Sequence, residues 1–287
     1  MKCPNRLTTL FAAAGLAVSA SPMAIGAQDI PSRPQASWAD LADLGEAADL
    51  VVHAKIKKQA ELSAERAVGV AAGKTRLYIE AETISLIAGN VPVGQSLRYL
   101  VDVPLDAKGR APKLKKQDVL LFARPVAGRP GEVQLVARDA QLPWSPALEA
   151  QLRPILSALV APNSPPAVTG IRDALSVEGN LQGESETQIF LDTASRDPVA
   201  ISVVRRPGRA PVWGVSYSEI VDQAVRAPQP QTLGWYRLAC FLPRSLPGDA
   251  NLSREPAGRA RAAEDYEFVM QQLGPCERMR FPPGGAR

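Results

Sequence analysis

The chain contains one histidine, His53, and three cysteines, Cys3, Cys240 and Cys276, so few residues can carry proton-transfer or sulfur chemistry. A histidine-rich metal site is excluded, and any Ser-His-Asp or Cys-His mechanism would run through His53 alone. His53 sits on the polar parity of an alternating segment, beside Lys55. A general base there needs a nucleophile and an orienting carboxylate, and the spacing nominates neither. The residue reads as a surface or barrel-mouth histidine.

Leu191-Asp192-Thr193-Ala194-Ser195 follows the apolar Ile189 and Phe190. It resembles the Asp-Thr-Gly loop of aspartic proteases, with alanine in the glycine position. That chemistry needs two facing aspartates sharing one proton. The chain carries one copy, so a hydrolase acting through Asp192 would be a homodimer. A strand ending in the turn Ala194-Ser195-Arg196-Asp197-Pro198 explains the same residues without chemistry.

Lys108, Arg110, Lys113, Lys115 and Lys116 cluster between two strand-like segments, opposed only by Asp106 and Asp118. A mobile basic loop of this kind suits an anionic partner: a polysaccharide, a lipid headgroup or an acidic protein patch. Glu178, Glu184 and Glu186 lie near Gly179 and Gly183 but lack calcium-loop spacing. The residues call for no metal and no cofactor, and no catalytic set emerges.

Residues 1–27 read as a secretory signal peptide: Lys2 and Arg6, an apolar run from Leu7 to Ala20, and small residues up to Ala27. Cleavage after Gly26 or Ala27 removes Lys2 and Arg6. Basic residues fall from 33 to 31 against 29 acidic ones, and the net charge falls from +4 to +2. Global charge therefore gives no support to nucleic-acid binding. No later run is long enough for a membrane span. Cleavage also removes Cys3 and leaves Cys240 and Cys276 in an oxidising periplasmic or secreted setting, where they are expected to form one disulfide.

These residues must be held by two parts. A capped helix is expected from Ser37 to Asp49, with Asp40 three residues after Ser37. Strands are expected at 50–56, 76–87, 97–103, 119–123 and 132–137, followed by a helix at 148–160 interrupted by Pro154. The apolar parity flips within 76–87, which implies a bulge. Five strands with a long, phase-shifting second one suggest a small closed barrel. The Pro-rich stretch 161–166 marks a linker. Beyond it come a hairpin at 187–193 and 199–205 and helices near 216–225, 232–242 and 256–273. Residues 279–287 read as a frayed tail.

The run Ala48-Asp49-Leu50-Val51-Val52-His53-Ala54-Lys55-Ile56 resembles the first strand of netrin-module and metalloproteinase-inhibitor OB-folds. Ile84-Ser85-Leu86-Ile87-Ala88-Gly89 resembles the end of their second strand, and Leu114 to Ala123 resembles their approach to a later one. The likeness spans roughly residues 48–137. It implies an OB-like barrel and, by extension, protease inhibition. Those inhibitors bind a protease's zinc through an N-terminal cysteine, and residues 28–160 contain no cysteine. Inhibition would then fall to an exposed wedge at residues 28–37. The whole chain resembles uncharacterised bacterial secreted proteins, which implies a compartment and no activity.

The expectation is thus an α+β protein. A five-stranded OB-like barrel domain at 28–160 precedes a smaller α+β domain at 167–278 closed by Cys240–Cys276. Its expected role is non-catalytic binding or structure in the bacterial envelope. The partner would be an envelope protein or anionic envelope component.

Overall fold

Leu50–Glu61 (β1) is apolar on both parities through Val52, and its first five residues, His53 included, are buried. That burial makes it a central strand, paired antiparallel to Lys74–Gly89 (β2) on one side and Asp118–Pro125 (β4) on the other. Ser96–Pro104 (β3) pairs with β2, while Val133–Leu135 (β5) and Gln141–Pro143 (β6) pair with β4. The computed structural model describes residues 36–217 and 226–280, together with Met1.

The expected parity flip in β2 is a bulge. Ala54 pairs with Thr83 and His53 with Ser85, so Ile84 is an extra residue. Ile87 is extra for the same reason, between the pairs Val52–Leu86 and Val51–Ala88. Bulges of this kind sharpen strand twist and curl a sheet. Curling brings the outer edges β3 and β5 together, but not into a ladder: an isolated parallel bridge joins Arg98 to Glu132. The sheet therefore has six strands and is not a closed barrel.

Trp38–Ala47 (α1) starts at a complete capping box. Asp40 N donates to Ser37 Oγ, and the Asp40 carboxylate accepts from Ser37 N. Pro146–Leu159 (α2) runs through Pro154 without breaking. It packs on α1 at Gly45, where a Cβ would lie 2.9 Å from Leu156 Cδ2.

The second part is a four-stranded antiparallel sheet rather than a lone hairpin. Its order is β10-β9-β8-β7, from Val168–Glu178 (β7), Ser185–Thr193 (β8), Val199–Arg205 (β9) and Val212–Ser216 (β10). β7 was hidden by Gly170 and by two register shifts that scatter its apolar residues. β10 was hidden by its five-residue length and Gly214. Ser216 ends β10, and the helix expected after it lies outside the described residues beyond Tyr217.

Leu233–Ala239 (α3) and Pro256–Leu273 (α4) complete the fold. α4 packs against β7 and β8. Its fully buried Asp265 accepts Thr187 Oγ1 at 2.5 Å and pairs with Arg205 Nε at 2.5 Å. Among the described residues no helix is long and apolar enough to cross a membrane.

α3 and the C-terminal segment sit on α1. Trp38 meets Trp235 edge-on at 6.2 Å and Tyr236 at 5.9 Å. Arg237 pairs with Glu46 at 2.7 Å. Cys240 and Cys276 form a disulfide with their Cα atoms 5.0 Å apart. Met279 and Arg280, expected in the tail, donate their backbone N–H groups to Asp40. Residues 281–287 lie outside the described residues.

Candidate functional site: an arginine-lined cleft

Strand alternation sends Arg76 and Tyr78 of β2 and Arg98, Leu100 and Asp102 of β3 to the outer face. Antiparallel pairing sets Arg76 opposite Asp102, and Tyr78 opposite Leu100. The curl of the sheet then brings residues 131–138 to the free edge of β3. Arg98 N donates to Gly131 O at 2.8 Å, and Asp102 N donates to Arg138 O at 2.7 Å. Between these two pins lies a cleft of about 590 Å³, lined by Arg76, Arg98, Arg129, Arg138, Tyr78 and Leu100 among others.

Asp102 forms its floor and is 5% exposed. It accepts a two-pronged pair from Arg76, at 2.6 Å from Nε and 2.8 Å from Nη2. This pairing holds the Asp102 carboxyl below the usual carboxylate range and raises Arg76. Arg138 Nη1 lies 3.7 Å from Asp102 and donates to Gly69 O at 2.7 Å. On the opposite wall Glu132 lies 3.4 Å from Arg129 and 3.8 Å from Arg98.

Four guanidiniums therefore share two carboxylates. Arg98, Arg129 and Arg138 also leave 45%, 70% and 60% of their side chains exposed. Guanidinium stays protonated and has no acceptor, so this set offers hydrogen-bond donors and positive charge to an anion but no group that moves a proton. Tyr99 adds no acid–base group. It is buried, donates to Gln141 Oε1 at 2.7 Å, and burial pushes its phenol up.

The basic cluster nominated from the sequence lies elsewhere, on the connection from β3 to β4. Hydrogen bonds tie it to its own turn and to β1. Asp106 accepts the N–H groups of Lys108 and Arg110 and pairs with the Arg110 side chain at 2.9 Å. Gln59 of β1 clamps the segment by donating to Pro112 O and accepting from Leu114 N. Lys116 N donates to Ile56 O. Lys108, Lys113, Lys115 and Lys116 are exposed, and among the described residues no carboxylate pairs with them. None of the five lines the cleft.

His53 is buried rather than superficial. Its ring lies flat on Trp144, with centroids 4.3 Å apart and planes 4° apart. Its Nε2 is 3.4 Å from Asp118 Oδ1, and Asp118 also meets Lys55 at 3.5 Å. Trp144 Nε1 donates to Glu149 at 2.6 Å, which holds that carboxyl low. The network ties β1, β4 and α2 together and contains no hydroxyl or thiol for His53 to activate.

Asp192 is exposed near the end of β8, opposite Gly170. The turn beyond it is closed by Thr193 Oγ1 donating to Asp197 O and by Ser195 Oγ donating to Asp197 Oδ2. Of the expected wedge, residues 28–35 lie outside the described residues, Ala36 is buried and Ser37 caps α1. Among the described residues no group of three His, Cys, Asp or Glu side chains could hold a metal ion.

Sequence reasoning missed the cleft because its arginines span residues 76 to 138 and four separate stretches: β2, β3, the β4–β5 connection and the β5–β6 connection. The available signal was parity: Arg76 and Arg98 both occupy polar positions of neighbouring strands. No protein-family model matches the chain, and no curated protein matches it.

Proposed function

We propose that this is an exported, non-catalytic binding protein of the bacterial envelope that holds an anionic component in the arginine-lined cleft. The export part rests on the N-terminal 27 residues. The binding part rests on one observation: four arginines share two carboxylates around a preformed cleft. The bulged second strand and the near-meeting edges support an OB-like reading of the first sheet, drawn open at this seam.

The pins at Arg98 and Asp102 are four residues apart, so the opening is about 13 Å long. A through-running polymer strand would have to break both pins. A compact anionic group fits between them. We therefore assign the cleft to a phosphorylated or polycarboxylate group, bound by forked arginine contacts.

The test is calorimetric titration of the mature protein with pyrophosphate and with citrate. Saturable binding that is lost in Arg98→Glu/Arg129→Glu and kept in Lys113→Glu/Lys115→Glu is the expected result. The reverse pattern would move the site to the β3–β4 connection, and no binding of either anion would refute the reading. N-terminal sequencing of the envelope fraction, with a start at Ala27 or Gln28, checks export.

A further inference from the structure

The second sheet ends in two turns of opposite charge. β8 and β9 are neighbours, with Ser185 opposite Arg205, so the β7–β8 and β9–β10 connections lie side by side. The β7–β8 turn is acidic. It is closed by Gly179 N donating to Glu184 O at 2.9 Å and is flanked by Glu178 and Glu186. The β9–β10 turn is basic. Arg209 N donates to Arg206 O at 3.1 Å, and Gly208 sits at φ +68° as this tight turn requires. Arg206 and Arg209 are therefore the two ends of one turn and stand together.

On the face away from α4, register aligns a row across all four strands: Val177 with Glu186, Glu186 with Val204, and Val204 with Val212. Val177 and Val212 are 57% and 66% exposed. The turns and this row surround a hollow of about 570 Å³, also lined by Ser185, whose buried Oγ has no hydrogen-bond partner. Arg206, Arg209, Glu178 and Glu186 all line the hollow, and none of them is in an ion pair among the described residues.

A free anion would be repelled by the glutamates, and a free cation by the arginines. A surface with the same two halves satisfies both. Rotation by 180° about an axis in the plane of the patch, running between β8 and β9, turns the copy face to face and places acid on base twice, which is the condition for an isologous two-fold interface. We propose that this end of the second sheet docks against the same end of a second copy of the chain. Each Arg206–Arg209 turn lies against the partner's acidic turn, and the exposed Val177 and Val212, at the two ends of the row, meet the partner's Val212 and the partner's Val177 on the flanks. The surface is on a different sheet from the anion cleft, so the two proposals are independent.

The test is light scattering of the mature protein over a concentration series. The wild type is expected to be a dimer that weakens as salt rises. Arg206→Glu/Arg209→Glu and Glu178→Lys/Glu186→Lys should each raise the dimer Kd by at least about a hundredfold, because like charges then face each other. An equimolar mixture of the two variants should dimerise again, since both contacts of the mixed pair become opposite in sign. Val212→Glu, at an exposed position, should also dissociate the dimer and gives a second readout should a reversal pair unfold. A monomeric wild type, a dimer indifferent to these changes, or folded reversal variants that stay monomeric when mixed would overturn the proposal.

Discussion

Asp40, in the first turn of α1, accepts the backbone N–H of Met279 at 2.9 Å across 239 positions of the chain. The same buried carboxylate accepts Arg280 N at 3.2 Å, Ser37 N at 2.8 Å and Ser37 Oγ at 3.0 Å. A residue that caps a helix locally thus also fastens the far end of the chain. Asp40→Ala leaves four donors without their acceptor, two of them on the C-terminal segment. We expect a loss of about 3 kcal/mol in urea unfolding, the scale of a buried charge-assisted cluster. A loss below about 1 kcal/mol, the scale of a simple helix cap, would mean that the Met279 and Arg280 contacts add nothing.

The disulfide works on the same fastening. Cys240 and Cys276 are separated by 36 positions, and closing a loop of this length stabilises by about 3–4 kcal/mol in the chain-entropy model. Arg278, two residues beyond Cys276, pairs with Asp43 at 2.6 Å. Reduction should therefore lower stability and also speed tryptic cleavage after Arg278 and Arg280. Equal cleavage rates in the reduced and oxidised proteins would show that the segment is held without the disulfide.

Asp102 gives the cleft an acid limit. Its folded-state carboxyl lies below its unfolded value because of Arg76, so its contribution is complete above about pH 4, the ordinary carboxylate value, and is lost as pH falls through the folded value. Asp102→Asn should cost about 3 kcal/mol at neutral pH, since Arg76 is left largely buried without its charge partner. The variant should also show a flatter loss of stability in acid than the wild type. An unchanged acid limb would assign that limb to other carboxylates.

Local rules made much of this molecule legible. Alternation and capping chemistry were enough for α1, β1, β3 and the β8–β9 hairpin, because each carries its signal within a few residues. The Ile84 bulge was legible as a parity flip. Long-range pairing was not. The cleft depends on a bulged β2 curling β3 toward residues 131–138, and no local pattern encodes that meeting. The anchoring of the basic cluster was not legible for a related reason. Charge density in sequence drew attention to Lys108–Lys116, while Gln59, about fifty residues earlier, decides that this segment is pinned rather than free.

The tyrosines set an alkaline limit. Burial raises the phenols of Tyr99, Tyr217, Tyr236 and Tyr266 above the ordinary value. Tyr236 is raised further by donating to Asp43 at 2.6 Å, because its phenolate would face that carboxylate. A phenol raised in the folded state favours folding fully below about pH 10 and progressively less above it. Four such groups together remove about 5 kcal/mol for each pH unit beyond that point. A domain of ordinary stability, roughly 5–15 kcal/mol, withstands about one to three units of this loss. Phenolate absorbance should therefore rise in a sharp step about one to three units above pH 10, coincident with loss of the circular dichroism signal. Smooth titration centred near pH 10, with the fold intact, would mean that these hydroxyls are open to solvent and that the burial argument fails.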